Sequence, residues 1–424
     1  METRSAEILC IGTEILMGDI VNTNAAYIAK ELAGLGVNLY HQSVVGDNPA
    51  RLREALELAF SRADIVITTG GLGPTYDDLS KETIAAYFGR KLVLHQPSME
   101  ALESYFVRRG SVMTDNNRKQ AMMPEGCTVF ANPNGTAPGC AITQEGKTAI
   151  MLPGPPREMK PMFDHWVVPY LTKDSDTHLI SHNLHFFGIG ESALESKLHD
   201  LMTGSTNPTV APYAKTGEVM LRVTARVKDG EDAEAVMAPA IRRILEEAGE
   251  FLYGVDVGNL ETAAVRALKE KGLEAAVAES CTGGLVAQRL TQVPGASRVF
   301  QCGIVSYSGG MKEKLLAVSP ETLAEKGAVS QETAREMAAG VRRLSGAAVG
   351  VGITGNAGPT AQDGQPVGRV YVAVDSPWLS KVLALDIRRT DEDARAYIRH
   401  VASSNALNLI RLAAQAAPDR EHNP

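Results

Sequence analysis

Short apolar runs that end in glycine, each followed by a helix-like segment, recur at both ends of this chain. This rhythm limits the fold more than any other feature. "EILCIG" reads as a buried strand stopping at Gly12, and "NTNAAYIAKELAGLG" as a helix capped by Asn22 or Asn24 and stopped by Gly34 or Gly36. "RLREALELAF" puts Leu52, Leu56 and Ala59 on one helical face, and "DIVITTGGLG" is a strand running into a glycine turn. Strand and helix in alternation imply a mostly parallel sheet with helices on both faces. The rhythm returns after about residue 258. "LEAAVAES", "RVFQCGIVSYS", "AAVGVGITG" and "GRVYVAV" read as strands, and "LVAQRLTQ" and "DARAYIRHVASSNALNLIRLAAQ" as helices. "SQETAREMAAGVRRL" reads as a helix capped by Ser330, with Ala334, Met337, Ala338, Val341 and Leu344 on one face.

Between these halves the period changes. In "EVMLRVTARV" Val219, Leu221, Val223, Ala225 and Val227 share one face, while Met220, Arg222, Thr224 and Arg226 share the other. That is a half-buried strand of an antiparallel sheet. Helix signals stand on either side, in "ESALESKLHDLM" and "EDAEAVMAPAIRRILEEAG". The expected fold class is therefore α/β: two three-layer α/β domains, at 1–172 and 258–416, joined by a small α+β domain at 173–254. "TKDSDT" reads as a linker, and 417–424 as a tail.

The length of 424 residues suits two to four domains. A net charge of −8 argues against a general nucleic-acid binder, yet allows a small phosphorylated ligand held by backbone groups. Five widely spaced cysteines without C-x-x-C or zinc spacing read as free thiols in a reducing cytosol. The first residues do not read as a signal peptide, and no run of about 18 apolar residues exists to span a membrane.

Several strand ends and turns carry candidate chemistry. In "TTGGLGPTYDDLSKE", Gly70, Gly71 and Gly73 let a phosphate approach the backbone, and Asp77, Asp78 and Glu82 offer oxygens to a hard cation. The bland reading is a tight turn with solvated acids and Ser80 capping the next helix. "IGTEILMGDIVNTN", with Thr13, Glu14, Asp19 and Asn22, reads equally as capping or binding, and "NPNGTAPGC", with Gly135 and Thr136, as a loop or an ordered turn. "AESCTGG" places Ser280, Cys281 and Thr282 at a strand-to-helix turn, where following N–H groups can hold an oxyanion. Cysteine is the better intrinsic nucleophile but needs a histidine, and this half holds only His400 in its last helix and His422 in the tail. A lysine can serve a serine instead: Lys312, just past the next strand, shares a rim with Ser280 if the strands are parallel. "GITGNAGP" adds Thr354 as a substrate contact and Gly355 to Gly358 as a phosphate cradle.

With "GTEILMGDIVNTN", "TTGGLGPTYDDLSKET", "NPNGTAPG", "LPGPPREMKPMF", "AESCTGG", "GIVSYSGGMKEK" and "GITGNAGP…PVGRVYVAV", the chain resembles the CinA family over essentially its full length. The resemblance implies a molybdopterin-binding-like first domain with ADP-ribose pyrophosphatase activity that needs a divalent metal (Mg, Mn or Co). It also implies a KH-like middle domain and a C-terminal nicotinamide-nucleotide amidase needing no cofactor. The amidase would convert nicotinamide mononucleotide to nicotinate mononucleotide and ammonia. Ser280 would be the nucleophile, Lys312 its base and Thr354 a substrate or relay residue. Thr282, Gly283 and Gly284 would be backbone oxyanion donors. Tyr307 would stack on the pyridine ring, and Arg395, rather than Arg388 or Arg389, would contact substrate. A cytoplasmic homodimer is implied. The sequence departs from the family pattern at Gly309, usually Asn, and at Asn356, usually aliphatic. The competing expectations are a non-enzymatic nucleotide-binding adaptor in competence or damage response, and a molybdopterin-handling enzyme using the first domain alone.

Overall fold

The structure is a computed structural model that describes residues 4–173, 177–361 and 364–419. Residues 174–176 of the expected linker and 420–424 of the expected tail lie outside the described residues. The chain divides into two compact units, one of 1–180 with 226–233 and one of 181–225 with 234–424.

In the first unit β1 (Ser5–Ile11), β2 (Asn38–Val45) and β3 (Ile65–Thr69) enter one sheet, while β4 (Leu92–Leu94) and β5 (Met122–Pro124) form a separate pair. β6 (Thr128–Phe130), β7 (Gly139–Gln144) and β8 (Lys147–Leu152) complete the main sheet in the order β2-β1-β3-β8-β7-β6. The first four strands in that order run parallel, and β7 and β6 are antiparallel. Alternation along β1 explains the two cores. Leu9 and Ile11 join Leu52, Leu56, Ala59 and Ile84 on one face, while Ile8 and Cys10 join Ala25, Ile28, Leu32 and Met159 on the other. The sheet is thus the middle of three layers. The register sets Cys10 beside Thr69 and Thr69 beside Leu152, so the turns at Gly12, Gly70 and Pro153 emerge along one edge.

The second unit opens with β9 (Thr177–Phe187, from Ser181 on), β10 (Thr209–Lys215), β11 (Glu218–Lys228, to Ala225) and β12 (Leu252–Val255), ordered β10-β11-β9-β12. The apolar face expected of β11 is buried at Val219, Leu221, Val223, Ala225 and Val227, and Met220 on the opposite face is buried too. Helices Glu191–Gly204 and Ala233–Ala248 bury Leu194, Leu198, Met237, Ala240 and Ile244. This is the expected α+β piece.

The remaining sheet holds β13 (Ala275–Glu279), β14 (Phe300–Val305), β15 (Val349–Gly355), β16 (Arg369–Asp375) and β17 (Ser380–Asp386), ordered β14-β13-β15-β16-β17. β14, β13 and β15 are parallel, and β16 and β17 antiparallel. Helices Leu260–Lys271 and Ala394–Ala416 contribute to the core on one face, and Gln331–Ser345 to the core on the other. Ser330 caps the latter by accepting the Thr333 N–H, and Ala334, Met337, Ala338 and Val341 are buried. Leu344 departs from expectation: it falls in the helix's last turn and is 60% exposed. Glu279, Val305 and Ile353 pair across the sheet, so Ser280, Ser306 and Thr354 leave it side by side. Among the described residues no helix is long and apolar enough to cross a membrane.

Candidate active site

Ser280 follows the last residue of β13, and its N–H is held by the Ile353 carbonyl of the neighbouring strand. Lys312 rises from the helix Gly309–Leu316, started by Ser308, whose hydroxyl accepts the Met311 N–H. The parallel pairing of β13 with β14 brings these two residues together across 32 positions of sequence. Lys312 Nζ donates to Ser280 Oγ at 3.0 Å and to the Ser306 carbonyl at 2.8 Å. Lys312 is 1% exposed and Ser280 8%. Thr354, on the other side of Ser280, is buried and donates its hydroxyl to the Ala328 carbonyl at 2.6 Å. Its proton is committed, so its remaining lone pairs can only accept, as from a carboxamide N–H.

Cys281 has the opposite character. It is buried, and desolvation pushes its thiol up to about 12, outweighing its own backbone N–H and the Lys312 charge. At neutral pH almost none of it is thiolate, the reactive form. His400 sits in the closing helix, and no described hydrogen bond joins a histidine to Ser280 or Cys281. His422 lies outside the described residues.

Glu279 holds the turn. Its fully buried carboxylate accepts from the N–H groups of Gly284 (3.0 Å), Val286 (3.1 Å) and Ala287 (2.9 Å). These are orphan donors at the start of the helix Leu285–Thr291, and a carboxylate there suits the helix dipole. The expected oxyanion donors are corrected accordingly. The Gly284 N–H goes to Glu279 and the Gly283 N–H to the Ser280 carbonyl, so both are spent on the turn. Among the described residues the Thr282 N–H has no partner, and the buried Thr282 hydroxyl has none either. Gly283 and Gly284 adopt φ of +59° and +93°, a backbone conformation that glycine takes without strain.

The arginines sort by geometry. Arg388 pairs with Asp386 and Arg389 with Asp391, both on the surface, whereas Arg395 reaches the Gly358 carbonyl and the Tyr307 hydroxyl. Arg399, one helical turn later, donates to the Thr282 carbonyl at 2.7 Å. Sequence reasoning missed it, although the i,i+4 spacing from Arg395 puts both on one helix face. The expected cradle at Gly355 to Gly358 is also corrected. The Gly358 N–H is taken by Asn356 Oδ1, and the Asn356 amide group ties down Thr360 and Gln365. Gly355 remains paired in β15 against Val370. Asn356 thus organises the loop. Gly309 opens its helix with open space around it, since an added Cβ would meet only Leu323, at 3.9 Å.

In the first unit a cleft of about 560 Å³ lies along the strand-end edge and includes Gly70, Gly71, Gly73, Asp77, Asp78 and Thr136. Gly70 has φ +106°, and a Cβ there would stand 2.0 Å from the Ile11 carbonyl; at Gly71 it would stand 1.9 Å from Ser80 Oγ. Ser80 caps nothing and instead donates to the Gly70 carbonyl. Asp78 accepts the Thr75 N–H, and Lys119 clamps the Asp78 carbonyl. The expected trio of acids does not converge. Asp77 and Asp78 both turn to Thr75, Glu82 does not line the cleft, and among the described residues no three acidic, histidine or cysteine side chains are placed to hold a metal. Gly135 packs against Glu158, and Thr136 accepts from Gln120. Asp47, Gln120 and Glu158 also line the cleft and were not singled out from sequence, and Asn24, expected only as an alternative helix cap, lines it while Asn22 does the capping. Asn24 donates to Thr69 and the Gly154 carbonyl, leaving its own oxygen without a partner.

Three family descriptions match in order: "Probable molybdopterin binding domain" at 7–173, "Damage-inducible protein CinA KH domain" at 181–254 and "CinA C-terminal domain" at 258–414. The chain is 48% identical over 409 residues to a CinA-like protein of Kosmotoga olearia, covering 96% of this chain and 98% of that one. It is 47% identical over 406 residues to a CinA-like protein of Dictyoglomus turgidum, with the same coverages. Among solved structures, competence/damage inducible protein CihA from Agrobacterium tumefaciens is 34% identical. It covers 37% of this chain and 95% of its own, at a TM-score of 0.35.

Proposed function

The chain belongs to the CinA family, and from that premise we propose that its C-terminal part is a serine–lysine amidase acting on nicotinamide mononucleotide. The observation that carries the reading is the buried hydrogen bond of 3.0 Å between Lys312 Nζ and Ser280 Oγ. In this reading neutral Lys312 takes the Ser280 proton as the oxygen attacks the carboxamide carbon. The Thr282 N–H receives the developing oxyanion, and Thr354 accepts an N–H of the carboxamide. Lys312 returns the proton to the departing nitrogen, which leaves as ammonia. Water, deprotonated by the same lysine, then frees nicotinate mononucleotide from Ser280. Tyr307, 63% exposed, offers its ring to the pyridine, and Arg395 with Arg399 offers N–H groups to the phosphate. The test is turnover of nicotinamide mononucleotide by the whole protein beside Ser280→Ala. The reading expects ammonia release by the former alone, and no release by either would overturn it.

The cleft of the first unit supports a second activity, hydrolysis of ADP-ribose at its diphosphate. Gly70, Gly71 and Gly73 line it where the chain packs too tightly for a side chain, and Asp77 with Asp78 supplies one or two carboxylates. That donor set fits a magnesium-like ion that completes its shell with substrate phosphates, and not a resident ion in a protein cage. Bound there, such an ion would neutralise diphosphate charge; Asp77 and Asp78 would hold it, and Gly70 to Gly73 would orient the phosphates. Formation of AMP and ribose 5-phosphate with magnesium, manganese or cobalt, and its loss in Asp78→Ala, tests this. Binding without cleavage under every metal would favour the adaptor reading.

A further inference from the structure

Two cysteines of the first unit serve neither proposed activity. Cys127 lies in the turn before β6, its N–H bonded to the Pro124 carbonyl, and Cys140 lies in β7 opposite Val129. Residues two apart on a strand share a face, so Cys127 is the diagonal neighbour of Cys140. Both belong to one core cluster with Val129 and Met151. Cys140 is fully buried, with its sulfur against Met151 Sδ at 4.0 Å. Cys127 is half-buried and lines a cavity of about 860 Å³ walled by Val93, Tyr105, Met123, Val129 and Trp166.

A buried cation stands beside them. Lys81 is 2% exposed, donates to the Lys119 and Gln120 carbonyls, and interacts electrostatically with both thiols. Exposure distinguishes the two sulfurs: Cys127 lines the cavity and Cys140 is fully buried. The neighbouring Cys140 and the Lys81 charge pull the Cys127 thiol down against its burial, while the neighbouring Cys127 and burial push Cys140 well up. An accessible thiolate beside a buried thiol and a cation is the arrangement of an attacking and a resolving cysteine.

We propose that Cys127 and Cys140 form a thiol–disulfide pair oxidised by hydroperoxides that enter through this cavity. Cys127 sulfur attacks the terminal peroxide oxygen. An S–O bond forms, the O–O bond breaks, sulfur loses two electrons, and the alcohol or water leaves with a proton. Cys140 sulfur then attacks Cys127 sulfur; the S–S bond forms, the S–O bond breaks, and hydroxide leaves as water with the Cys140 proton. Diagonal neighbours on adjacent strands stand about 7–8 Å apart, and a disulfide needs Cα atoms within about 7 Å. Closure therefore asks for a shift of about 1 Å, which the turn at Cys127 can supply more readily than a laddered strand.

The experiment treats the full chain with hydrogen peroxide at a few equivalents, quenches with an alkylating agent and maps thiols by mass spectrometry. Cys302 is the internal control, since it is also half-buried but has no thiol or cation partner, and burial alone raises its pKa. Wild type should lose 2 Da and yield a Cys127–Cys140 linked peptide, with Cys127 consumed at least about tenfold faster than Cys302. In Cys140→Ser the reaction should stop at a sulfenic acid on Cys127 that dimedone traps. Oxidation of Cys302 at an equal or greater rate, or failure of wild type to form the linked peptide, overturns the proposal whether or not the variant folds.

Discussion

Replacing Lys312 tests the amidase reading most directly, and three substitutions separate its roles. Lys312 Nζ lies 3.0 Å from Ser280 Oγ, 2.8 Å from the Ser306 carbonyl and 3.4 Å from the Tyr307 carbonyl. Lys312→Met keeps the length and removes the base. Loss of a general base costs about 10²–10⁴ in rate, or about 3–5 kcal/mol of transition-state free energy. The Ser306 carbonyl also loses a donor, a penalty of about 1–3 kcal/mol in stability for a buried group. Lys312→Arg puts in a guanidinium that is always protonated and cannot act as a base, so the same kinetic loss is expected with no vacated volume. Lys312→Ala opens a hole beside Ser280 that ethylamine can enter, and turnover should recover in proportion to amine concentration. The assay follows nicotinate mononucleotide by chromatography, so the added amine does not interfere. If Lys312→Met kept more than about a tenth of the wild-type kcat, the lysine would not be the base. If Lys312→Met were inactive while amine failed to rescue Lys312→Ala, its role would be to shape the site.

Other expectations are as direct. Cys281→Ala should keep turnover within a few-fold, and Cys281 should resist iodoacetamide at pH 8, because burial holds the thiol near 12. Glu279→Gln should lower kcat by about tenfold or more while leaving KM little changed, since it loosens three charge-assisted N–H bonds worth about 1.5–3 kcal/mol each to the turn beside Ser280; an equal fall in affinity would mean that the turn binds substrate instead. Gly71→Ala should abolish ADP-ribose binding measured by calorimetry, because its Cβ falls 1.9 Å from Ser80 Oγ at a φ of +67°. His182 is raised above its ordinary 6.5 by hydrogen bonds to Asp256 and then Glu234. Its contribution is therefore complete below about pH 6.5 and fades as pH climbs through the raised value. Protection factors at Asn183 and along β12, taken relative to intrinsic exchange at each pH, should fall between pH 6 and 9 in wild type and stay flat over that window in His182→Gln.

What was legible in the sequence followed from periodicity and from chain direction. Alternation placed β11, and the glycine stops placed the strand ends. With β13, β14 and β15 parallel, Ser280, Lys312 and Thr354 have to share a rim, and their register brings them there. Hydrogen-bond direction was not legible. A glycine after a strand looks the same whether its N–H faces a ligand or a carboxylate, and only the fold reveals that Gly284 serves Glu279 and Gly358 serves Asn356. Tertiary burial was hidden as well. Lys81 in "LSKET" has the pattern of a solvated helix lysine, yet packing places it at 2% exposure against two carbonyls. The acidic trio is split for a related reason: the Thr75 hydroxyl draws Asp77 and Asp78 together, while Glu82, in the first turn of the following helix, does not line the cleft.

Glu279 also constrains where a substrate phosphate can bind. The N-terminus of a helix after a glycine turn is ordinarily an anion site, and "ESCTGGL" has that form. Here the site is already filled, because both oxygens of the Glu279 carboxylate bond the N–H groups that a phosphate would use. A second anion at this helix end would meet a buried negative charge and no vacant donor. The cationic groups brought to the same rim are Arg395 and Arg399, each with one or two of its five N–H donors engaged by neutral oxygens of Gly358, Tyr307 and Thr282. A phosphate is a stronger acceptor than a carbonyl and can take the remaining donors without breaking the turn. Under the amidase proposal, the helix end is thus closed to the mononucleotide's phosphate and the closing helix is open to it, which would separate the phosphate from the amide carbon at Ser280. If the arginines serve this end of the substrate, Arg399→Ala should raise KM for the mononucleotide far more than for the nucleoside that lacks the phosphate. An equal effect on both would place Arg399 with the turn, through its bond to Thr282, and not with the ligand.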